Sequence, residues 1–199
     1  MAAGTHYNIN PDYVQEELYR VESGVRKSGP WKLDITNLVV GSTLPVLTPV
    51  EADLKKRTVV PVRNIMVVEE YKTASSGTSI KIAKGSLAYV GMFIGSGKKG
   101  AKVSAIDKSD AQYDVLTIEA AFGEDIAKDS VLFESKTVAG TTKKNTANFA
   151  LYDAKKVEDD GPVLCTLLMQ AYEVKESKLH MPIHELDKVG MTSRFQFEY

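Results

Sequence analysis

The sequence predicts an all-β protein: a barrel-like core of the β-tulip kind, an inserted small β module and a short helical N-terminal arm. Three observations predict this. Residues 44–71 are strand-rich, with Pro45, Pro49 and Pro61 spaced among Val, Leu and Ile. Proline cannot donate to a sheet ladder, so it is confined to strand starts, edges and bulges, and a sheet with awkward edges points to binding or assembly. Residues 73–136 break into short apolar runs separated by turn signals, the pattern of a small barrel or sandwich. Residues 163–172 form the longest apolar run and are expected to make a central strand.

The chain divides into an arm (1–31), a core in two pieces (32–72 and 137–199) and the module between them (73–136). In the arm, Asn10, Pro11 and Asp12 supply a helix start. Val14, Leu18 and Val21 follow at helical spacing, and Gly24 is a stop. So short a helix is marginal alone in water, so it docks either on its own core or on another chain. Residues 23–30 read as a linker. In the first core piece, Leu33, Ile35 and residues 38–40 predict a strand ending at Gly41; Val59, Val62, Ile65, Val67 and Val68 predict more.

In the module, Ile80 and Ile82 alternate in one strand, and Val90, Met92 and Ile94 in the next. Val103 and Ala105, then Val115, Leu116 and Ile118, then residues 131–133 complete it. In the second core piece, Phe149 and Leu151 alternate, and EDDGP at 158–162 is a turn. Residues 182–189 suggest a short helix with Pro182 in its first turn and Gly190 after its end. Phe195, Phe197 and Tyr199 fall on one face of a final half-buried strand.

Composition removes several function classes. The 199 residues carry 25 basic and 26 acidic side chains, a formal net charge of −1, so no global field draws the chain to nucleic acid or to an anionic membrane. No apolar run reaches bilayer-spanning length. The N-terminus lacks the basic and apolar regions of a signal peptide. The single cysteine, Cys165, excludes an internal disulfide and fits a reducing compartment of synthesis; its apolar run VLCTLLM reads as core.

Motifs that invite chemistry do not hold up. His180 and His184 are four apart, but Pro182 between them opposes a regular helix, so no metal site is expected. The run GMFIGSGKKG at 91–100 never meets the order G-x-x-x-x-G-K-[ST]. It reads as a solvated hairpin with Gly95, Gly97, Lys98 and Lys99 at an exposed tip. Asp107, Asp110 and Asp114 lack the spacing and glycine of a calcium loop. The Lys143-Lys144 pair reads as a solvated turn. No nucleophile, base and orienting group can be assembled from three histidines and one cysteine, so neither catalytic residues nor a cofactor are expected.

Residues 41–50, Gly41-Ser42-Thr43-Leu44-Pro45-Val46-Leu47-Thr48-Pro49-Val50, are answered much later by ANFALYD at 147–153, by the acidic turn Asp159-Asp160-Gly161 and by Leu179-His180-Met181-Pro182. This pattern resembles the head decoration proteins of tailed bacteriophages, and is similar to the head fibre proteins of phages of gut bacteria. The intervening module and the helical arm depart from the compact decoration pattern. The resemblance implies a non-enzymatic virion protein, made in the host cytoplasm and bound to the outer capsid surface. It implies the major capsid protein as partner and a homo-trimer.

The arm then supplies the expected contacts with the shell or a sister chain. Tyr7, Ile9, Tyr13, Leu18 and Tyr19, with Trp31 beyond them, are of the types favoured at interface cores. The alternatives are a tail or baseplate adaptor, because virion β modules look alike, and a carbohydrate-binding module, which would need exposed aromatic platforms.

Overall fold

In the computed structural model of the protein the structure describes residues 17–198, so the expectations placed on Tyr7, Ile9 and Tyr13 lie outside the described residues. The strands are β1 (Val25–Leu33), β2 (Thr43–Leu44), β3 (Pro49–Asp53), β4 (Thr58–Pro61), β5 (Asn64–Met66), β6 (Ser79–Ala83) and β7 (Phe93–Gly95). They continue as β8 (Gly100–Asp107), β9 (Tyr113–Ile118), β10 (Val131–Glu134), β11 (Phe149–Leu151), β12 (Lys155–Lys156), β13 (Leu164–Lys175) and β14 (Phe195–Glu198). Among the described residues one α-helix, α1 (Glu185–Met191), precedes β14. The all-β class is as expected.

Two six-stranded sheets carry the fold. The first runs β1-β4-β3-β11-β13-β14 and the second β5-β10-β7-β8-β9-β6; β2 and β12 make a small separate ribbon. The first sheet curls back on itself into a barrel-like core, because β1 pairs with both β4 and β13, but its ladders are interrupted and the barrel is not closed. In the first sheet β1 touches β4 only through Lys32 and Leu33, and meets β13 in a register that shifts twice. In the second, β5 and β6 are joined by a single bridge between Val67, just past the end of β5, and Ile82 of β6.

The long strand β13 organises the first sheet because it pairs with β1, β11 and β14. From Cys165 to Leu168 its side chains alternate between two cores, as the twofold repeat of a strand requires, and register shifts farther along keep Ala171 and Val174 on the second of them. Leu167 and Cys165 join Trp31, Val50, Val59 and Leu151 on one face. Leu168, Ala171 and Val174 join Leu47, Val62, Met191 and Phe195 on the other. A third core of Ile65, Ile80, Ile82, Ile94, Leu116 and Phe122 fills the second sheet.

Several local expectations are revised. Of the helix expected between Asn10 and Gly24, the described part is irregular at Leu18 and Tyr19, followed by a single 3-10 turn over Val21–Ser23. The expected linker at 23–30 lies mostly in β1, where Val25, Arg26 and Lys27 pair with Gln170, Leu168 and Leu167. Main-chain pairing is indifferent to the polar composition that suggested a linker. Strand β5, in the sequence piece assigned to the core, pairs with β10 in the second sheet.

The C-terminal helix starts later than expected, with His184 as its N-cap in a capping box with Asp187. Gly190 lies inside the helix, where a Cβ would collide with the backbone of Ala147.

Candidate functional site

The root of the arm is fastened to the far end of β13. Arg20 N–H donates to Tyr172 O at 3.0 Å, and Lys175 N–H donates to Leu18 O at 2.9 Å. Tyr172 N–H donates to Ser23 Oγ at 2.8 Å. Leu18 and Tyr19 are half-buried and pack on the core of Ala171, Val174 and Phe195. Burial, with help from Tyr152 and Asp153, raises the Tyr19 phenol above its ordinary pKa.

Beside this root a cleft of about 830 Å³ opens along the exposed part of β1, lined by Arg26, Lys27, Pro30, Tyr152, Leu164 and Thr166 among others. Arg26 lies over the Tyr152 ring at 5.3 Å. The arm therefore emerges next to a basic and aromatic groove.

Trp31 does not belong to this surface. It is 2% exposed and sits in the core with Leu33, Val59 and Leu167. This corrects its expected role as a contact: a strand position that alternates inward buries its side chain whatever its suitability for an interface. Arg57 covers the indole at 5.7 Å.

The glycine-rich hairpin connects β7 and β8, with Gly95 opposite Gly100. Gly97, Lys98 and Lys99 are exposed, but Gly95 is buried. Gly95 and Gly100 pack backbone against backbone on Gly140: a Cβ on either would collide with Gly140, and one on Gly140 would collide with Lys99 and Gly100. Gly140 also has φ +70°, where glycine is favoured. Ser96 N–H donates to Lys99 O, Gly97 N–H donates to Gly140 O, each at 3.0 Å, and the Ser96 hydroxyl meets Glu124. The tip is a braced projection. It flanks a second cleft, about 900 Å³, whose lining includes Ser96, Lys98, Glu124, Glu176, His184 and Glu185.

Where the chain crosses between the two sheets, two adjacent polar networks are buried. In the first, Arg63 pairs with Glu134 at 3.1 Å and donates to Thr36 O. Tyr89 Oη and Lys144 Nζ also donate to Glu134, at 2.7 and 2.8 Å. Burial alone would raise the Glu134 carboxyl, but the hydrogen bonds from Lys144 and Tyr89 and the Arg63 charge outweigh it and hold the carboxyl below its ordinary value.

In the second network Asn64 Nδ2 donates to Asp187 Oδ2 at 2.8 Å and to Pro182 O at 2.9 Å. Lys143 Nζ donates to Asn64 Oδ1 at 2.8 Å and forms an ion pair with Asp187. Ala147 N–H donates to Asp187 Oδ1 at 2.9 Å. Burial depresses the Lys143 ammonium, although Asp187 opposes the shift. Lys143 is thus no solvated turn residue. Nothing in the run TTKKNT distinguishes the buried lysine from its exposed neighbour, so the sequence carries no local trace of this network.

The remaining candidates serve local structure. His184 Nδ1 accepts from Leu186 N–H at 3.1 Å. Asp107 and Asp110 accept backbone N–H groups of Ser109 and Gln112, and Asp114 pairs with Lys84 at 2.7 Å. Burial pushes the Cys165 thiol up to about 11. Among the described residues no group of three or more His, Cys, Asp or Glu side chains could hold a metal ion, and no helix is long and apolar enough to cross a membrane.

Comparison with known proteins gives one result. The profile of a family described as head fiber protein matches residues 3–196, nearly the whole chain. No curated protein and no solved structure matches.

Proposed function

The chain belongs to the head fiber protein family, and from that premise we propose that it sits on the outer surface of an assembled phage head. There it binds the major capsid protein through its N-terminal arm, as a homo-trimer. The family makes it a structural component of the virion; the placement, partner and symmetry are the proposal.

The single observation that carries the reading is the family match over residues 3–196, which includes the arm, both sheets and the C-terminal helix. The root of the arm supports the choice of docking element. Leu18 and Tyr19 are half-buried on the protein's own core, and the backbone from Leu18 to Ser23 is tied to β13. The chain preceding Leu18 is therefore delivered from a fixed point beside the groove of Arg26, Lys27 and Tyr152.

A stable footprint on the shell buries on the order of 1,200–2,000 Å². Three linked copies reach high avidity from modest single contacts, because binding of one raises the effective concentration of the others. Closed rotational symmetry also suits the local three-fold axes of an icosahedral shell.

The test is a truncation. Removing residues 1–16 leaves the β13-bound root intact, whereas a cut as far as Lys27 would strip pairing residues from β1. The truncated protein is expected to fold and to lose co-sedimentation with capsids. Retained co-sedimentation would show that the arm is not the docking element.

A further inference from the structure

We propose that Lys143 and Asn64 form an intramolecular amide cross-link, with Asp187 as the proton carrier. Three observations converge. The amine and the carboxamide are in contact: Lys143 Nζ lies 2.8 Å from Asn64 Oδ1, which is bonded directly to the carbon that would be attacked. One carboxylate oxygen, Asp187 Oδ2, touches both the attacking nitrogen and the departing one, Asn64 Nδ2. The three side chains are sealed from water, with Asn64 2% and Asp187 0% exposed and the Lys143 side chain at 3%.

An ordinary buried ion pair needs a lysine and an aspartate. It does not need an amide carbonyl against the amine, nor an amide nitrogen against the same carboxylate oxygen. Such an arrangement keeps the reacting groups in contact, which removes much of the entropic barrier to a reaction that is slow in solution. The surroundings favour the reactive form. Phe133 is fully buried with its ring centroid 5.8 Å from Nζ, and burial shifts Lys143 toward the neutral amine that carries the nucleophilic lone pair. The carboxylate is held in place by Ala147 N–H on Oδ1 and by His184 N–H on Oδ2. The carboxamide is held by Pro182 O.

The step balances without any external reagent. A proton passes from the Lys143 ammonium to Asp187 Oδ2. The freed lone pair forms the Nζ–Cγ bond, and the carbonyl electron pair moves onto Asn64 Oδ1. Asp187 gives its proton to Nδ2. The Cγ–Nδ2 bond then breaks as the carbonyl re-forms, and Nδ2 leaves as ammonia. The amide nitrogen sheds its remaining extra proton through Asp187, and ammonia carries it away as ammonium. Nothing is oxidised or reduced.

The bond would join the point where the chain enters the second sheet to the point just after it leaves. Asn64 opens β5, and Lys143 follows β10, which ends at Glu134. All of the second sheet lies in the closed loop. A cross-link of this kind restricts the unfolded chain, as a disulfide across a long loop does, but it survives a reducing cytoplasm.

The experiment is mass spectrometry of the purified full-length protein. The intact protein is expected to be lighter than its sequence requires by one ammonia molecule, and a tryptic digest to contain one branched peptide joining the Asn64 and Lys143 segments. The Lys143→Arg and Asp187→Asn variants are expected at full mass. Because the wild-type digest decides the matter, folding failure of either variant does not obscure the answer. A wild-type protein of full mass with separate peptides overturns the proposal. So does loss of water with Lys143 joined to Asp187, or loss of ammonia confined to an unbranched asparagine peptide.

Discussion

Arg63 and Glu134 stand seventy-one residues apart in sequence and form an ion pair at 3.1 Å in which each side chain is only 4% exposed. They join the segment that enters the second sheet to the strand that ends it. Removing one member of a buried pair strands the other charge away from water. Arg63→Met is expected to destabilise the protein by about 3 kcal/mol, the lower end for buried pairs, since Lys144 and Tyr89 still serve Glu134. Chemical denaturation checks this, and a midpoint equal to wild type would show that the pair is dispensable.

His184 gives the protein a pH response. Burial lowers its pKa below the ordinary 6.5, and Lys143 and Lys188 push the same way against Asp187 and Glu185. The unfolded chain therefore takes up a proton more readily than the folded one, and stability falls as pH drops from about 6.5 through the folded-state pKa. Protonation at Nδ1 also ends the cap on Leu186 N–H. His184→Asn keeps a capping side chain and removes the titration. Thermal melts between pH 7.5 and 5 are expected to slope for the wild type and to lose most of that slope for the variant.

The three-glycine contact between the hairpin and the 137–140 turn predicts a sharp contrast. Gly140→Ala places a Cβ into the backbone of Lys99 and Gly100 at a residue with φ +70°. It is expected to cost about 1–3 kcal/mol from backbone strain, with further loss as the hairpin is displaced. Gly161→Ala meets nothing within 4 Å and is expected to change stability by less than about 0.5 kcal/mol. Equal effects in denaturation would mean that the close approach is not what fixes the tip.

Trp31 separates core from contact. As the one tryptophan of the chain, buried at 2% exposure, it is expected to emit at short wavelength and to shift to the red on unfolding. Trp31→Ala is expected to cost about 3–5 kcal/mol. A folded Trp31→Ala protein of wild-type stability that has lost capsid binding would return Trp31 to the interface.

What the sequence disclosed follows from which forces leave a local trace. Alternation marks a strand that is buried on one face, so β6, β9, β13 and β14 were visible within a few residues of their true ends. The run at 23–30 carries Ser28, Gly29 and Pro30, and its pairing with β13 rests on backbone groups that leave no side-chain pattern. The C-terminal helix is legible but its start is not, because Pro182 is a start signal and the actual cap is His184. Gly95 and Gly100 look like turn residues in the sequence because the reason for them, Gly140, lies far along the chain. Lys143 and Asn64 leave no mark for the same cause: a polar residue buried by a distant partner looks like any other polar residue. The candidate site was legible only as an arm, and its root required the structure.

The most direct test is to image purified phage particles at a resolution that locates this chain. The account predicts density on the outside of the head, with residues 1–16 against the major capsid protein and the two sheets projecting from it. Density confined to the tail or baseplate, or particles that lack the polypeptide altogether, would contradict it.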